Sequence, residues 1–592
     1  MAPSPVLLRS QPAIQRDGTR FDSEAYSDGQ HVRFDRGRPR KMWGCRTLVN
    51  TMDEISRGLT QFTRAGSVYI HSGGSTKLES VTFDYNGFGG SVVDRTPSIF
   101  VADANNSWSF DTIFDPVTTN NAMVVANAAP NLSLIDNNVE RPVFWGQVNS
   151  SAAFVPLGLP ILTTATTVTT VTGDTTSGSP IIANVSVVTA LHFGYTATGT
   201  GVAANSYILS VGATSITLSQ NATATNTGVT LTITTGGVSG GVVALHPYLM
   251  AYSSNGYVQW TTPLAKGNTP ADFWSTGSGG AYVTDQKLVA AKILRGGPGY
   301  SPAGLFWSLN ALVRATFSGG DAVFSFDTIS DTITIMSPDS VVEVDGIYYW
   351  VGQDRFYAFG GTVRELANNR NTSWFFDGIN QNAKQKTFAF AVPRWGEIWF
   401  CYPRGTATEC SHAVIYNWRT QDWYDTKLLN GGRSAGLSAS VFPYPIMAGV
   451  DADAPGGKYY LWQHEYGHDE IRGTRTLPIQ SYFETANFAV TTDAKQPQDK
   501  ALRVIRVEPD LIQSGNLTMT VTGEANPKAD TVTSEATIVY ETPPETFNQV
   551  NEVKTARRIM RFRFESNTLG GDYYFGKPLG FIEPTDATYL GS

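Results

Sequence analysis

Short runs of β-branched and aromatic residues, separated by tight polar turns, recur along most of this 592-residue chain. The clearest example is the segment 340–366, SVVEVDGIYYWVGQDRFYAFGGTVREL. Its first apolar strand ends at Asp345-Gly346, a dipeptide that favours a two-residue hairpin turn. An aromatic strand, a polar Gly-Gln-Asp turn and a third strand complete the unit. This pattern predicts one blade of a β-propeller.

Related units occupy residues 56–156 and residues 242–475, and together they amount to about six or seven. Radial closure of a propeller explains why so many short strands need no long exposed edge. The period of the units is loose, so two packed β-sandwiches are the alternative architecture. The expected fold class is all-β, with a propeller as its main part.

Residues 157–241 interrupt the series with a segment rich in Thr, Ser, Ala and Gly and almost free of charge. Apolar residues alternate with polar ones there, as at Ile208, Val211, Ile216 and Leu218. Low complexity is also compatible with disorder, but period-two alternation favours an antiparallel sheet with one buried face. We therefore predict a small inserted β-sandwich.

The N-terminal residues 1–55 are basic for their length, and Gly37 and Pro39 exclude a helix around the sequence RFDRGRPRKMWG. We predict a basic arm. It either docks on a partner or on DNA phosphate, or forms a solvated hairpin whose charges are paired locally. The candidate contact residues are Arg33, Arg36, Arg38, Arg40 and Lys41.

Residues 476–592 predict a C-terminal β-sandwich, with strands such as ALRVIRVEPDL and RRIMRFRFES. Period two places Arg561 and Arg563 on one face and Phe562 and Phe564 on the other. A solvated sheet face is favoured over a phosphate track for these arginines, which are further candidates for DNA or partner contact.

Composition supports the all-β expectation, because charged residues are only 16% and aromatic residues 12%, with 57 Gly and 30 Pro. A net charge of −8 argues against a protein that neutralises phosphate in bulk. Three cysteines predict neither a disulfide framework nor a zinc site. Since no signal peptide or long apolar run is recognisable, we expect a soluble protein made in the cytoplasm, without a membrane-spanning segment.

His464, Glu465 and His468 match the zinc-protease motif H-E-x-x-H. That motif needs a helix, whereas the preceding GGKYYLWQ predicts a turn and a strand. On a strand the two histidines lie roughly 13 Å apart, too far to share one zinc ion. Asp451 and Asp453 likewise lack the remaining ligands of a calcium loop. We predict no metal, no cofactor and no catalytic residues, and hence no enzyme.

Several predicted strands are aromatic, and their tryptophans include Trp395, Trp399, Trp418 and Trp423. They are able to stack on bases or sugars, but filling the space between blades is the favoured interpretation.

The order of arm, blades, insert and terminal sandwich resembles the tail nozzle proteins of short-tailed bacteriophages, a family that includes packaged DNA stabilisation proteins. The resemblance rests on RFDRGRPRKMWG, on VDGIYYWVGQDRFYAFGG and HAVIYNWRTQDWYDT, and on the C-terminal RIMRFRFESN. The insert is similar to small β modules of phage tail and fibre proteins.

The resemblance implies a structural virion protein that forms a ring of six copies below the portal and the adaptor, or head-to-tail connector. Such a ring continues the channel for double-stranded genomic DNA, retains the packaged DNA and opens for ejection. Tail fibres or spikes are the other implied partners, and the loops 296–304 and 368–371 are candidate gate segments. The alternative is a glycan-binding or glycan-cleaving propeller of a receptor-binding tail protein, although no pair of catalytic carboxylates is recognisable.

Overall fold

The computed structural model describes residues 4–8, 10–19, 24–48, 51–64, 66–83, 90–97, 107–114, 122–127, 143–148, 150–157, 167–188, 191, 196–204, 206, 208–234, 238–253, 255–263, 278–295, 302–320, 322–439, 441–454, 457–489, 500–526, 533–541 and 551–586. Within these ranges the chain is almost entirely β, with one short helix, α1 (Thr372–Phe376), and two 3-10 turns at Pro338–Ser340 and Lys384–Lys386. The all-β prediction is confirmed.

Seven short strands precede the propeller. They are β1 (Ser4–Leu7), β2 (Gln11–Ile14), β3 (Ala25–Tyr26), β4 (Asp28–Gln30), β5 (Val32–Asp35), β6 (Arg38–Lys41) and β7 (Cys45–Thr47).

Two four-stranded antiparallel sheets follow, and we number them blades 1 and 2. Blade 1 contains β8 (Leu59–Arg64), β9 (Ser67–Gly73), β10 (Leu78–Phe83) and β11 (Val92–Asp94). Blade 2 contains β12 (Ser109–Phe114), β13 (Ala122–Asn127), β14 (Val143–Gln147) and β15 (Val155–Leu157). In each blade the strands are hydrogen-bonded in chain order.

The insert lies between blades 2 and 3. Its strands are β16 (Thr167–Thr175), β17 (Ile181–Ile182), β18 (Thr196–Gly199), β19 (Ile208–Val211), β20 (Ile216–Leu218) and β21 (Asn226–Thr234). They form two three-stranded sheets, β16-β21-β18 and β17-β20-β19. Ile208, Ile216 and Leu218 face a core whose members all lie between Val171 and Ile233. The predicted sandwich is therefore present, and its core is separate from that of the propeller.

Blades 3 to 6 are again four-stranded, each with its strands in chain order. Their strands are β22 (Gly241–Leu245), β23 (Tyr248–Tyr252), β24 (Tyr257–Trp260), β25 (Gly279–Tyr282), β26 (Leu288–Ile293), β27 (Ala303–Ser308), β28 (Leu312–Phe317), β29 (Phe324–Ser330), β30 (Val341–Val344), β31 (Ile347–Val351), β32 (Phe356–Phe359), β33 (Val363–Leu366), β34 (Phe388–Val392), β35 (Glu397–Tyr402), β36 (His412–Asn417) and β37 (Trp423–Lys427).

Blade 5 is the segment that the sequence singled out. Its first turn contains Asp345 and Gly346, both with positive φ, at 52° and 78°. That conformation matches a two-residue hairpin turn of the primed type. The predicted third strand is divided by Gly360-Gly361 into two strands, β32 and β33, so the blade has four strands rather than three.

Blade 7 combines the two ends of the propeller sequence. It contains β38 (Ala435–Leu437), β39 (Ile446–Asp451) and β40 (Lys458–His464), and β7 from the N-terminal segment pairs with β40. Two further strands, β41 (Asp469–Arg472) and β42 (Arg475–Pro478), extend the sheet beyond β7. The innermost strands pack side by side around the ring, and β38 contacts β8, so the seven described blades close into a propeller.

The C-terminal strands are β43 (Ser481–Glu484), β44 (Phe488–Ala489), β45 (Lys500–Glu508), β46 (Leu511–Ser514), β47 (Leu517–Glu524), β48 (Thr533–Tyr540), β49 (Asn551–Arg557), β50 (Ile559–Ser566), β51 (Asp572–Phe575) and β52 (Leu579–Asp586). They form three sheets, β1-β52-β45-β49, β4-β43-β50-β47-β48 and β46-β51-β6-β5, with β44 paired to β50. We call this assembly the terminal domain.

Each terminal-domain sheet contains a strand or hairpin from the N-terminus, which corrects the prediction of a separate basic arm over residues 1–55. One hydrophobic core joins this segment to blade 6 and the terminal domain, including Phe34, Phe390, Trp399, Phe483 and Phe564. The arm prediction failed because β1, β4 and β6 pair with strands that are more than 400 residues away in the sequence.

Candidate functional site

A cavity of about 320 Å³ lies where the innermost strands of the seven blades converge. Residues from each blade line it, from Leu59 in blade 1 to Ala435 in blade 7. Exposure rises along β26, from buried Leu288 to Ile293 at 39% exposed. The cavity is therefore the central channel of the propeller, and we call it the channel cavity.

Three carboxylates and two cations line the channel cavity. Both Asp111 oxygens accept backbone N–H groups at 2.7 Å, from Thr112 and Ala244. The Asp339 carboxylate accepts the hydroxyl of Ser107. Burial raises the pKa of both aspartates, because the charged form loses hydration, and nearby Lys292 lowers it only in part.

Glu343 differs from the two aspartates, since its carboxylate lies 3.7 Å from the guanidinium of Arg295. The Glu343 side chain also accepts the backbone N–H of Gly346 at 2.8 Å. Lys292 is exposed and forms no ion pair within 4.0 Å with any residue that the structure describes. When the three carboxylates and the two cations are all ionised, the cavity lining carries one net negative charge.

Aromatic rings form part of the cavity wall. Trp108 stacks on Phe110 with 5.4 Å between ring centroids, and Tyr252 and Tyr348 also line the space. The Tyr348 hydroxyl is fixed, because it accepts the backbone N–H of Arg295 at 3.0 Å. A volume of about 320 Å³ is that of a small-molecule site, whereas the B-DNA major groove alone is about 12 Å wide. The cavity can hold a small ligand and cannot pass a DNA duplex.

The second candidate region is the junction between the propeller and the terminal domain. Arg33, in β5, inserts between Glu397 of blade 6 and Glu465, which follows blade 7 strand β40. Its Nη2 lies 2.7 Å from Glu465 Oε1, and its Nε lies 2.9 Å from Glu397 Oε1. Burial alone lowers the pKa of the Arg33 guanidinium, but the two carboxylates outweigh that effect and raise it overall. The group is a permanent buried cation.

Of the five basic residues predicted in the arm, Arg33 and Lys41 are buried. Lys41 donates to the carbonyl of Gly571 at 2.7 Å, and burial lowers its pKa to about 8. The guanidinium of Arg40 lies over the rings of Trp43 and Trp395 and 3.4 Å from Asp35. Arg36 is exposed and Arg38 half-buried. The arm residues therefore do not form one phosphate-binding row.

Arg561 and Arg563 lie on the half-buried face of β50, as period two predicts, while Phe562 and Phe564 are buried. Arg561 pairs with Glu484 at 2.7 Å and with Glu524. Arg563 pairs with Glu565 at 2.9 Å and covers the ring of Tyr482. Local carboxylates already neutralise both arginines.

The H-E-x-x-H residues point to different partners. His464 ends β40 and accepts a hydrogen bond from Nε of Arg433 at 2.9 Å. Glu465 binds Arg33, and His468 lies 3.8 Å from Asp572. Among the residues that the structure describes, no group of three or more His, Cys, Asp or Glu is arranged to hold a metal ion.

Asp451 and Asp453, which resemble the start of a calcium loop in the sequence, form ion pairs with an arginine. Arg472 binds Asp451 at 3.2 Å and also contacts Asp453 and Glu470. Cys45, Cys401 and Cys410 are buried free thiols, and burial raises the pKa of Cys45 to about 12.

One predicted gate segment, 368–371, is held by the N-terminal segment, since Arg16 and Asp17 donate backbone N–H groups to the carbonyl of Arg370. Most of the other, 296–304, lies outside the described residues. Trp399 and Trp423 are buried, while Trp395 and Trp418 are partly buried against core clusters. The tryptophans thus mainly pack within and between sheets.

Sequence reasoning missed Asp111, Lys292 and Asp339. Asp111 and Lys292 lie in two different innermost strands, and Asp339 lies in the turn before a third. Each is an isolated charge in or directly before a β-strand, so no local spacing marks it. Their position in the blade could have identified them, because the first strand of each predicted blade lines the axis of a propeller.

No family model matches this chain, and no curated protein matches it. Among solved structures, 278 chains match. One of them, described as "YCF48 bound to D1 peptide", has a TM-score of 0.32 and 9% sequence identity, covering 78% of this chain and 97% of its own. A likeness of that size carries no statement about what this chain binds.

The described part of the chain has no helix long and apolar enough to span a membrane. Its own sheet order defines it as a β-propeller protein with an inserted β module and a β-rich terminal domain.

Proposed function

We propose that this chain is a structural subunit of a short-tailed phage tail nozzle, in which about six copies form a ring that continues the DNA channel. The observation that supports this most is the position of RFDRGRPRKMWG, one of the segments that carry the family resemblance. It forms β5 and β6 and leads into β7, so it ties the terminal domain to blade 7. A subunit built this way holds its two parts as one body, as a ring under pressure from packaged DNA requires.

In this proposal DNA runs through the lumen between copies, not through the propeller axis. The channel cavity is too small for a duplex. The paired arginines Arg561 and Arg563, together with a net charge of −8, suit a wall over which DNA slides without being held. The adaptor ring and the tail fibres or spikes are the proposed protein partners, and the virion is the proposed location.

The insert is the proposed contact for fibres or an outer decoration. It enters between blades 2 and 3 without interrupting either sheet, and its core is its own. Exposed apolar side chains on it include Ile181 at 49% and Val187 at 53%.

The test is the molar mass of the purified full chain by light scattering, alone and with candidate adaptor rings, with particles viewed by electron microscopy. We expect a ring of about six copies, either spontaneously or on meeting the adaptor. A variant without residues 158–237 is the matched control, and it retains ring formation if the insert lies outside the subunit interface.

A chain that stays monomeric and binds none of the adaptor rings would contradict the nozzle proposal. Saturable binding in a glycan array by that monomer would instead support the receptor-binding alternative.

A further inference from the structure

Lys292 and Asp339 carry opposite charges and line the same channel cavity, yet they do not form an ion pair within 4.0 Å. Lys292 still lies near enough to lower the pKa of Asp339 against the larger, opposite effect of burial. Within the described residues, the hydrogen bond from Ser107 is the only one that Asp339 accepts through its side chain. The cavity therefore presents an ammonium and a carboxylate that are both available to a third group.

Hydrogen bonds hold both aspartates of the cavity in fixed orientations. Ser107 orients Asp339, and two backbone N–H groups hold Asp111 in place. Neither aspartate has an ion-pair partner among the described residues. Removing a carboxylate from bulk water is costly unless a cation or several donors compensate it, so a bound ammonium group would be stabilised here.

The group that would bind an anion in this cavity is Lys292. Lys292 is exposed near the end of β26, where the strand emerges from the ring, while Arg295 beyond it is already paired with Glu343. A flexible lysine with an unpaired ammonium group is suited to a carboxylate ligand. Trp108 and Tyr252 also line the cavity.

From this arrangement we propose that the channel cavity binds a small zwitterion, with its ammonium group at Asp339 and Asp111 and its carboxylate at Lys292. The volume of about 320 Å³ is at the lower end of the range for small-molecule sites, which fits a ligand the size of an amino acid. This inference does not depend on ring formation, because residues of a single copy line the whole cavity.

The experiment is isothermal titration calorimetry on the full-length chain with zwitterions of increasing length and single-charge analogues of the longest one. The zwitterions are glycine, 4-aminobutanoate and 5-aminopentanoate, and the single-charge analogues are pentylamine and pentanoate. We expect at least one zwitterion to bind at least tenfold more tightly than either single-charge analogue. Equal or tighter binding of pentylamine would replace the proposal with a cation site, and tighter binding of pentanoate would replace it with an anion site.

Variants locate the site. Asp339→Asn and Lys292→Gln should each weaken binding of the best zwitterion at least tenfold. The matched controls Asp354→Asn and Lys458→Gln change exposed residues that do not line the cavity and should leave affinity unchanged. If Asp339→Asn does not fold, Ser107→Ala tests the same end of the cavity by removing the donor that orients Asp339.

Two results would overturn the proposal. One is no heat and no shift in melting temperature with any zwitterion at 10 mM, about a hundredfold above a 0.1 mM dissociation constant. The other is binding that survives both Asp339→Asn and Lys292→Gln, because the ligand would then lie elsewhere.

Discussion

Nη2 of Arg33 lies 2.7 Å from Oε1 of Glu465, and this buried ion pair joins two parts of the protein that are 432 residues apart in sequence. Arg33 belongs to a terminal-domain sheet, whereas Glu465 follows a strand of blade 7. Glu465 also accepts the indole N–H of Trp395 in blade 6 at 2.9 Å. One carboxylate thus links blade 6, blade 7 and the terminal domain.

Replacing Arg33 by Met should destabilise the protein strongly, because Glu397 and Glu465 would remain buried without their cation. The expected loss in the free energy of unfolding is about 3–5 kcal/mol, measured by urea titration. Arg503→Met is the control, since Arg503 is exposed at the surface and its pair with Glu583 should contribute less than about 1 kcal/mol. Similar losses in the two variants would contradict a structural role for the Arg33 pair.

Gly44→Ala should disrupt the connection between β6 and β7. A Cβ atom on Gly44 would overlap the backbone of Asp469, and the Gly44 N–H donates to the carbonyl of Gly467 at 2.9 Å. We expect a loss of at least about 3 kcal/mol, the upper end for overpacking, in thermal or urea unfolding. Gly320→Ala faces open space and should change stability by less than about 0.5 kcal/mol. A well-tolerated Gly44→Ala would show that this junction can shift.

The insert should fold alone. A fragment of residues 167–234 contains both three-stranded sheets and every member of their core. We expect a β-type circular dichroism spectrum, dispersed amide resonances and a cooperative but low-temperature transition, because domains of about 60 residues are marginally stable. A random-coil spectrum would mean that the propeller stabilises the module.

Stability should fall with acidification partly through His31. Burial lowers the pKa of His31 to about 4, and Lys41 and Lys427 oppose its protonation further. Between pH 6.5 and 4 the unfolded chain therefore binds this proton and the folded chain does not. Folding free energy should be lost as pH falls through that window, by up to about 1.4 kcal/mol per pH unit for this group.

Urea titrations at pH 7 and pH 5 on the wild type and His31→Gln check this. Other groups act oppositely, since burial raises the pKa of Glu79 to about 7, so only the difference between the two proteins reports on His31. The variant should lose less stability than the wild type on going to pH 5, whereas the exposed His246→Gln should match the wild type. Parallel losses in all three proteins would contradict the assignment.

Local signals in the sequence were sufficient for the individual blades. Asp345-Gly346 specifies its turn because both residues adopt positive φ, and the alternation at Ile208, Ile216 and Leu218 specifies one buried face. The same logic placed Phe562 and Phe564 inward on β50. The strand predicted before the H-E-x-x-H motif is also present, since β40 ends at His464.

Two features could not be predicted from neighbouring residues. Strands β6 and β7 pair with strands more than 400 residues away, so the basic residues in this segment looked like an exposed arm although Arg33 and Lys41 are buried. The channel cavity likewise collects Asp111, Lys292 and Asp339 from separate blades.

The sequence by itself determined the all-β class, the blade-like units and the separate insert, because turn chemistry and period-two burial act over a few residues. Ring closure through β7, the buried charge of Arg33 and the lining of the channel cavity were decided only by the tertiary structure. These depend on which distant strands meet, and hydrophobic burial together with strand pairing selects that arrangement for the chain as a whole.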